Sequence, residues 1–296
     1  MVRFRALVRV LFETSRPSQL LLILGVYGFG VLVAAAAGTA LSPRPILAGA
    51  LALLPTAASV HYANEYADYE TDALTERTPF SGGSGALHRT GLSRRVPLWA
   101  GAVSLLAGAV LTAPFAALGW LSPTAAALLA VIAVFGWQYS VGPLRLAWRG
   151  WGELDNAALG GLALPVYGAA VVDGPLGFVA LASVPFFLVV LLNLFATQWP
   201  DREADRRVGK RTLAVQWSPR RLRRVYAALA VFAAAALVAL AGRAIPVSVA
   251  LASLPVAPLV AYGAYGYTER HVPWPTVTAM VAFLLLQSVG WLWTFR

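Results

Sequence analysis

The stretch Asn64-Glu65-Tyr66-Ala67-Asp68-Tyr69-Glu70-Thr71-Asp72 closes an apolar run that opens near position 45. Carboxylates are expensive to place there. An ionisable group at membrane depth loses its hydration, so one that persists marks a functional site by default. Asn64, Asp68 and Asp72 recur every four residues. On a helix that spacing puts them on one face, drifting by about 40° per step. A second acidic group, Asp201-Arg202-Glu203-Ala204-Asp205, follows another apolar run and repeats the spacing at Asp201 and Asp205. Stripes of oxygen-bearing side chains suit a hard divalent cation. Mg2+ takes one or two carboxylates and fills its other positions with water and substrate phosphate oxygens. Two such stripes facing each other can hold two Mg2+ ions across one diphosphate. The plainer reading, a solvated helix end at the interface, fits a single cluster better than two on one face.

Outward from these clusters the chain reads as membrane. Of its 296 residues 59% are hydrophobic and 12% charged, against about a quarter charged in a soluble domain, and the mean hydropathy is +0.69. There is no cysteine, which excludes disulfides and thiolate metal sites. Three scattered histidines (His61, His88, His271) make no metal cluster either. The first apolar run, from Leu20, follows Arg3, Arg5 and Arg9 without a small-residue cleavage site, so no removable signal is expected. A span needs about 20 mostly apolar residues. Nine candidates are expected at 18–38, 45–66, 97–116, 122–141, 153–172, 176–199, 222–241, 245–265 and 274–294. Ser42-Pro43, Ser122-Pro123, Asp173-Gly174-Pro175 and Val272-Pro273 supply turn chemistry between them, and Ala and Gly within them allow close helix packing. The fold expected is all-α, one nine-helix membrane bundle occupying 1–296 as a single domain.

Charge orients this bundle. With the N-terminus inside, 20 of the 23 basic residues fall in inside segments, leaving only Arg44, Arg243 and Arg296 outside. Positive residues concentrate in cytoplasmic loops, so the expected placement is the cell membrane with the N-terminus and both acidic clusters facing the cytoplasm. A net charge of +10 there points to a polyanionic ligand rather than to nucleic acid. Arg77, Arg145, Lys210 and Arg211 lie close after spans or clusters and are candidates for clamping a diphosphate, Arg through its planar fork and Lys as a point charge. For each, plain topology is the competing explanation, and it suffices for Arg220 to Arg224. Gly82-Gly83-Ser84-Gly85 lacks a Walker lysine and reads as a flexible loop over a pocket. Tyr139-Ser140 ends the fourth span. Glu153 and Asp155 open the fifth, where a helix-dipole role accounts for them. Asn193, Gln198 and Gln138 are explained by helix–helix hydrogen bonds. The aromatics read as interface belts, a tunnel lining or a carbocation wall.

These residues together resemble the UbiA superfamily of intramembrane prenyltransferases over nearly the whole chain. Asn64, Asp68 and Asp72 match its N-D-x-x-D-x-x-x-D motif, and Asp201 and Asp205 its D-x-x-x-D motif. Tyr139-Ser140-Val141-Gly142-Pro143-Leu144 is similar to the family's Y-S-x-P-P-L, and Gly152-Glu153-Leu154 to its G-E-L. Asp201 to Leu213 resembles D-x-E-x-D-x-x-x-G-K-x-T-L. Glu65 departs from the usual Asp after the motif Asn, which puts a metal role for it in doubt. The Ser81–Gly85 segment looks most like the dihydroxynaphthoate polyprenyltransferase branch.

The resemblance implies Mg2+-dependent transfer of a polyprenyl group from a polyprenyl diphosphate to a lipophilic, aromatic acceptor of lipid-quinone synthesis. Asn64, Asp68, Asp72, Asp201 and Asp205 would be the catalytic and metal residues, with two ions. Arg77, Arg145, Lys210, Arg211 and Tyr139 would hold the diphosphate. The alternatives are a carotenoid, tetrapyrrole or glycerophospholipid-precursor acceptor, or an anion transporter. Transport is disfavoured because the acidic residues sit on one face rather than at the bilayer midplane.

Overall fold

The computed structural model describes residues 2–295, with the side chains of Val2 and Arg3 also outside the description. Arg296 and the Arg3 side chain, counted in the charge balance, therefore lie outside the described residues. In chain order the helices are α1 Val2–Thr14, α2 Pro17–Ala36, α3 Pro43–Ala67, α4 Tyr69–Leu74, α5 Ala86–Thr90, α6 Arg95–Ala117, α7 Pro123–Ser140, α8 Gly152–Ala158, α9 Leu164–Val171 and α10 Leu176–Gln198. They continue with α11 Arg202–Arg207, α12 Leu213–Gln216, α13 Pro219–Leu240, α14 Val247–Ala252, α15 Ala257–Gly266 and α16 Trp274–Trp293. Among the described residues the only β pairing is an isolated bridge between Ala241 and Ile245.

Eight helical segments are long and apolar enough to cross a membrane. The remaining expected span, 153–172, is broken by a π-helical turn at Leu159–Ala163 between α8 and α9, so no single α-helix there reaches full length. The three pieces follow one another without a gap over Gly152–Val171, the length expected of a ninth span. Span boundaries depart from expectation by a few residues at most. The prolines explain the starts: Pro17, Pro43, Pro123 and Pro219 each open a helix, where a missing N–H costs nothing. Ser122 and Ser218 cap two of these, Oγ accepting from Ala125 N at 3.2 Å and from Arg221 N at 3.3 Å.

Small residues set the packing, as the composition implied. α3 packs along α6, α2 along α9, and α10 along α13. At the α2–α9 crossing Gly30 lies on the Pro165 backbone and Gly168 on the carbonyl of Tyr27, with no room for a side chain at either. Aromatic rings fill the centre. Phe186 sits between Phe29 and Phe283, and the Tyr167 hydroxyl donates to Gly49 O at 2.9 Å. α1 was not anticipated. It is amphipathic, with Val10 packed on Ala86 and Leu87 of α5, while Phe4, Val8 and Phe12 face outward.

Candidate active site

The first stripe forms where α3 runs out. Asp68 breaks the helix with φ −91° and ψ 8°. Its N–H still reaches Asn64 O at 2.9 Å, and the Asp72 N–H reaches Asp68 O at 2.8 Å, so the four-residue register survives into α4. Asn64 Nδ2 donates to Asp68 Oδ2 at 2.8 Å and to Ser140 Oγ at 3.0 Å, which ties the stripe to the end of α7. The second stripe forms beyond α10. Asp201 stands at the N-cap of α11, and the Asp205 N–H bonds to Asp201 O at 2.9 Å. A turn through Gly209 (φ 78°) then brings the Lys210 N–H back to Asp205 O at 2.8 Å.

Lys210 joins the two halves. Its Nζ donates to Asp68 Oδ1, 142 positions away in sequence, at 2.8 Å and lies 3.6 Å from Asp205 Oδ1, bridging the two clusters. Burial opposes the ammonium charge, yet Asp68 and Asp205 outweigh it and hold the lysine above its ordinary range. The carboxylates feel the opposite pressure. Burial, with Asp68 and Glu65 nearby, pushes Asp72 up to about 8. Burial with Asp205 beside it pushes Asp201 up to about 7. Burial raises Asp205 to about 6 in spite of Lys210. Asp201 Oδ1 and Asp205 Oδ1 are buried without a hydrogen-bond donor. Carboxylate oxygens left in this state attract a cation, and an all-oxygen donor set suits Mg2+. Among the described residues no three acidic or histidine side chains close on one point, and the Lys210 ammonium bridges the two stripes. The residues fit a cation-plus-polyanion site that Lys210 holds together.

The other sequence candidates divide. Tyr139 lies against Gly152 and within electrostatic reach of Lys210, Asp68 and Asp205. Arg77 stays in the neighbouring loop, its Nη2 donating to Gly83 O at 3.2 Å. Arg145 turns over the Trp148 ring at 5.4 Å, and the Arg211 backbone N–H bonds to Trp148 O at 3.1 Å. Neither makes an ion pair with the stripes among the described residues. Glu153 does more than complement a helix dipole: its Oε1 accepts from Leu213 N at 2.7 Å and so anchors the segment carrying Lys210. Glu65 is wholly engaged away from the stripe, by Arg16 and Ser84. Arg16 was counted only as a topological charge. Its position, directly before the proline that opens the first span, is the signal that could have singled it out.

A bundle of apolar helices that joins two acidic stripes at one end defines a class, helical membrane proteins with a buried charged site. The chain belongs to the UbiA prenyltransferase family, whose model matches residues 22–262. No curated protein sequence matches it. Three solved structures share the fold. The apo structure of a UbiA homologue from Aeropyrum pernix K1 has a TM-score of 0.70 at 18% identity, with 93% of this chain and 98% of that one covered. A UbiA homologue from Archaeoglobus fulgidus bound to DMAPP and Mg2+ gives 0.68 at 16% identity, covering 95% and 98%. A structure from work on digeranylgeranylglyceryl phosphate synthase in membranes gives 0.66 at 15% identity, covering 96% and 98%. The chain is thus a prenyltransferase.

Proposed function

We propose that the chain, acting as one unit over 1–296, transfers a polyprenyl group from a polyprenyl diphosphate to a lipophilic acceptor with Mg2+, on the cytoplasmic face of the cell membrane. The observation that carries this reading is the meeting of Asp68, Asp205 and Lys210, with donor-free oxygens on Asp201 and Asp205 beside it. Asn64, Asp68, Asp72, Asp201 and Asp205 would hold the metal, which supplies neutralisation of the charge that develops on the departing diphosphate. The A. fulgidus homologue bound to DMAPP and Mg2+ supports the use of Mg2+.

The reaction breaks the allylic C1–O bond, and the electron pair leaves with the diphosphate. An electron-rich atom of the acceptor forms the new bond to C1, and the acceptor then loses a proton to solvent. Lys210, already positioned by two carboxylates, stabilises the negative charge on the leaving group. Asn64, held between Asp68 and Ser140, keeps the first stripe in register. Tyr139 borders the reacting end. Water would quench an allylic cation, which is a physical reason to enclose the site under the loop 75–91. The acceptor we favour is an aromatic ring of a lipid-quinone precursor, as the Ser81–Gly85 resemblance suggests. A glycerophosphate-type acceptor is the second reading, favoured by the likeness to the structure from work on digeranylgeranylglyceryl phosphate synthase.

The test is incubation of the purified protein with labelled geranylgeranyl diphosphate and a panel of acceptors, followed by mass spectrometry. Prenylated product that disappears in EDTA and returns with added Mg2+ is expected. Full activity in chelator would contradict the metal assignment.

A further inference from the structure

The residue that departs from the family motif, Glu65, has its own structural task. Its side chain is 3% exposed, and both carboxylate oxygens are used. Oε1 accepts from Arg16 Nε at 3.0 Å, Arg16 Nη2 at 2.8 Å and Ser84 N at 2.9 Å, while Oε2 accepts from Ser84 Oγ at 2.7 Å. One position along α3 from Asn64, it points away from the Asn64–Asp68 stripe. It joins two segments, the α1–α2 junction and the glycine loop, to α3.

The first segment is the junction of α1 and α2, where Arg16 has φ 53° and ψ 67°. A non-glycine residue in that region is strained unless its surroundings hold it there. The second is the glycine loop, where Gly83 (φ 59°) and Gly85 (φ 63°) flank Ser84. Gly83 lies so close to the Asp72 carboxylate that a side chain there would collide with it. The loop is held again on its far side, where Arg89 Nη1 donates to Ser84 O at 3.1 Å and Arg89 pairs with Glu13 of α1. The ring α1, Arg16, Glu65, Ser84, α5 and back to α1 is therefore closed by contacts, and Glu65 ties it, buried, to the spanning bundle.

We infer that Glu65 is a positioning residue: it clasps the 82–85 loop to the Arg16 junction and thereby sets how Asp72 is presented to the site. The inference rests on the prenyl-transfer reading of that site. It also explains the departure from Asp, because a side chain one methylene shorter does not span from α3 to Arg16 and Ser84 together. Glu65 touches neither substrate nor metal in this scheme; it acts through the loop.

The test uses the full chain in detergent or nanodiscs. Without any ligand, amide hydrogen exchange of residues 82–86 is compared in wild type, Glu65→Ala, Glu65→Asp and Glu65→Gln. Faster exchange is expected in the Ala and Asp variants and near-normal protection in Gln, which keeps the reach. With Mg2+ and labelled prenyl diphosphate, the Ala and Asp variants should need about tenfold more Mg2+ for half-maximal turnover while kcat stays within about threefold, the pattern of a lost supporting contact. Ser84→Ala, which removes only the Oε2 partner, should shift Mg2+ dependence in the same direction by less, and it stands in should Glu65→Ala fail to fold. Unchanged loop exchange in the Ala variant, or an Asp variant indistinguishable from wild type, overturns the inference. A wild-type protein that shows no prenyl transfer while the loop exchange still responds to Glu65 would instead overturn the function and leave the clasp standing.

Discussion

At the scale of single residues, the site is a balance between buried carboxylates and one buried ammonium. Removing a stripe carboxylate unbalances it. Asp68→Ala and Asp201→Ala are each expected to lower turnover by at least about a hundredfold with the protein still folded by size-exclusion in detergent, as the loss of a metal or leaving-group contact does. Near-normal product from both variants would count decisively against the assignment. Acid–base behaviour offers a separate test without catalysis. Folding raises Asp72 to about 8, Asp201 to about 7 and Asp205 to about 6 through burial, against 3.8 for a free Asp. The folded, metal-free protein thus holds more protons than the unfolded chain between about pH 4 and about pH 8, and its stability falls as pH rises through that window. Thermal melting in chelator should therefore decline from pH 5 to pH 8, and Asp72→Asn should flatten the slope. A melting temperature that climbs with pH would contradict this. The metal-type stripes were legible in the sequence because helical spacing alone puts Asn64, Asp68 and Asp72 together. The Lys210 bridge was not, since nothing local says that a lysine near the second cluster will reach the first.

At the scale of elements, the loop between α4 and α5 is where conformation and chemistry meet. Gly83 has φ 59° and sits on the Asp72 carboxylate, whereas Gly91 has φ 63° and open space around it. Both Gly→Ala changes carry the backbone penalty, about 1 kcal/mol. Only Gly83→Ala should also disturb Asp72, so it is expected to raise the Mg2+ requirement about tenfold while Gly91→Ala changes it little. Equal effects in a side-by-side Mg2+ titration would argue against the contact. Spans were easy to read because proline and capping serines punctuate them. Two elements were not. α1 carries three arginines and lacks the uninterrupted apolar length of a span, so hydropathy does not register its amphipathic pattern. The fifth span was expected as one helix, but the Gly160-Gly161 pair allows a π-helical turn that hydropathy cannot register.

At the scale of the whole molecule, the charge pattern predicts most of the basic residues and the acidic site on one side of the membrane, and the absence of cysteine makes that sidedness directly measurable. Single Arg94→Cys and Arg44→Cys variants should react with a membrane-impermeant maleimide from opposite sides of sealed vesicles, Arg94→Cys from the cytoplasmic side. Labelling of both from one side would overturn the orientation. The Lys210 bridge has a practical corollary. Because the protein carries its own counter-cation between the stripes, Asp68 and Asp205 need no dissolved ion to stay close to one another. Prolonged dialysis against chelator should leave a correctly assembled resting enzyme, ready for reloading, whereas a Lys210→Met chain given the same treatment should stay folded but melt at a lower temperature.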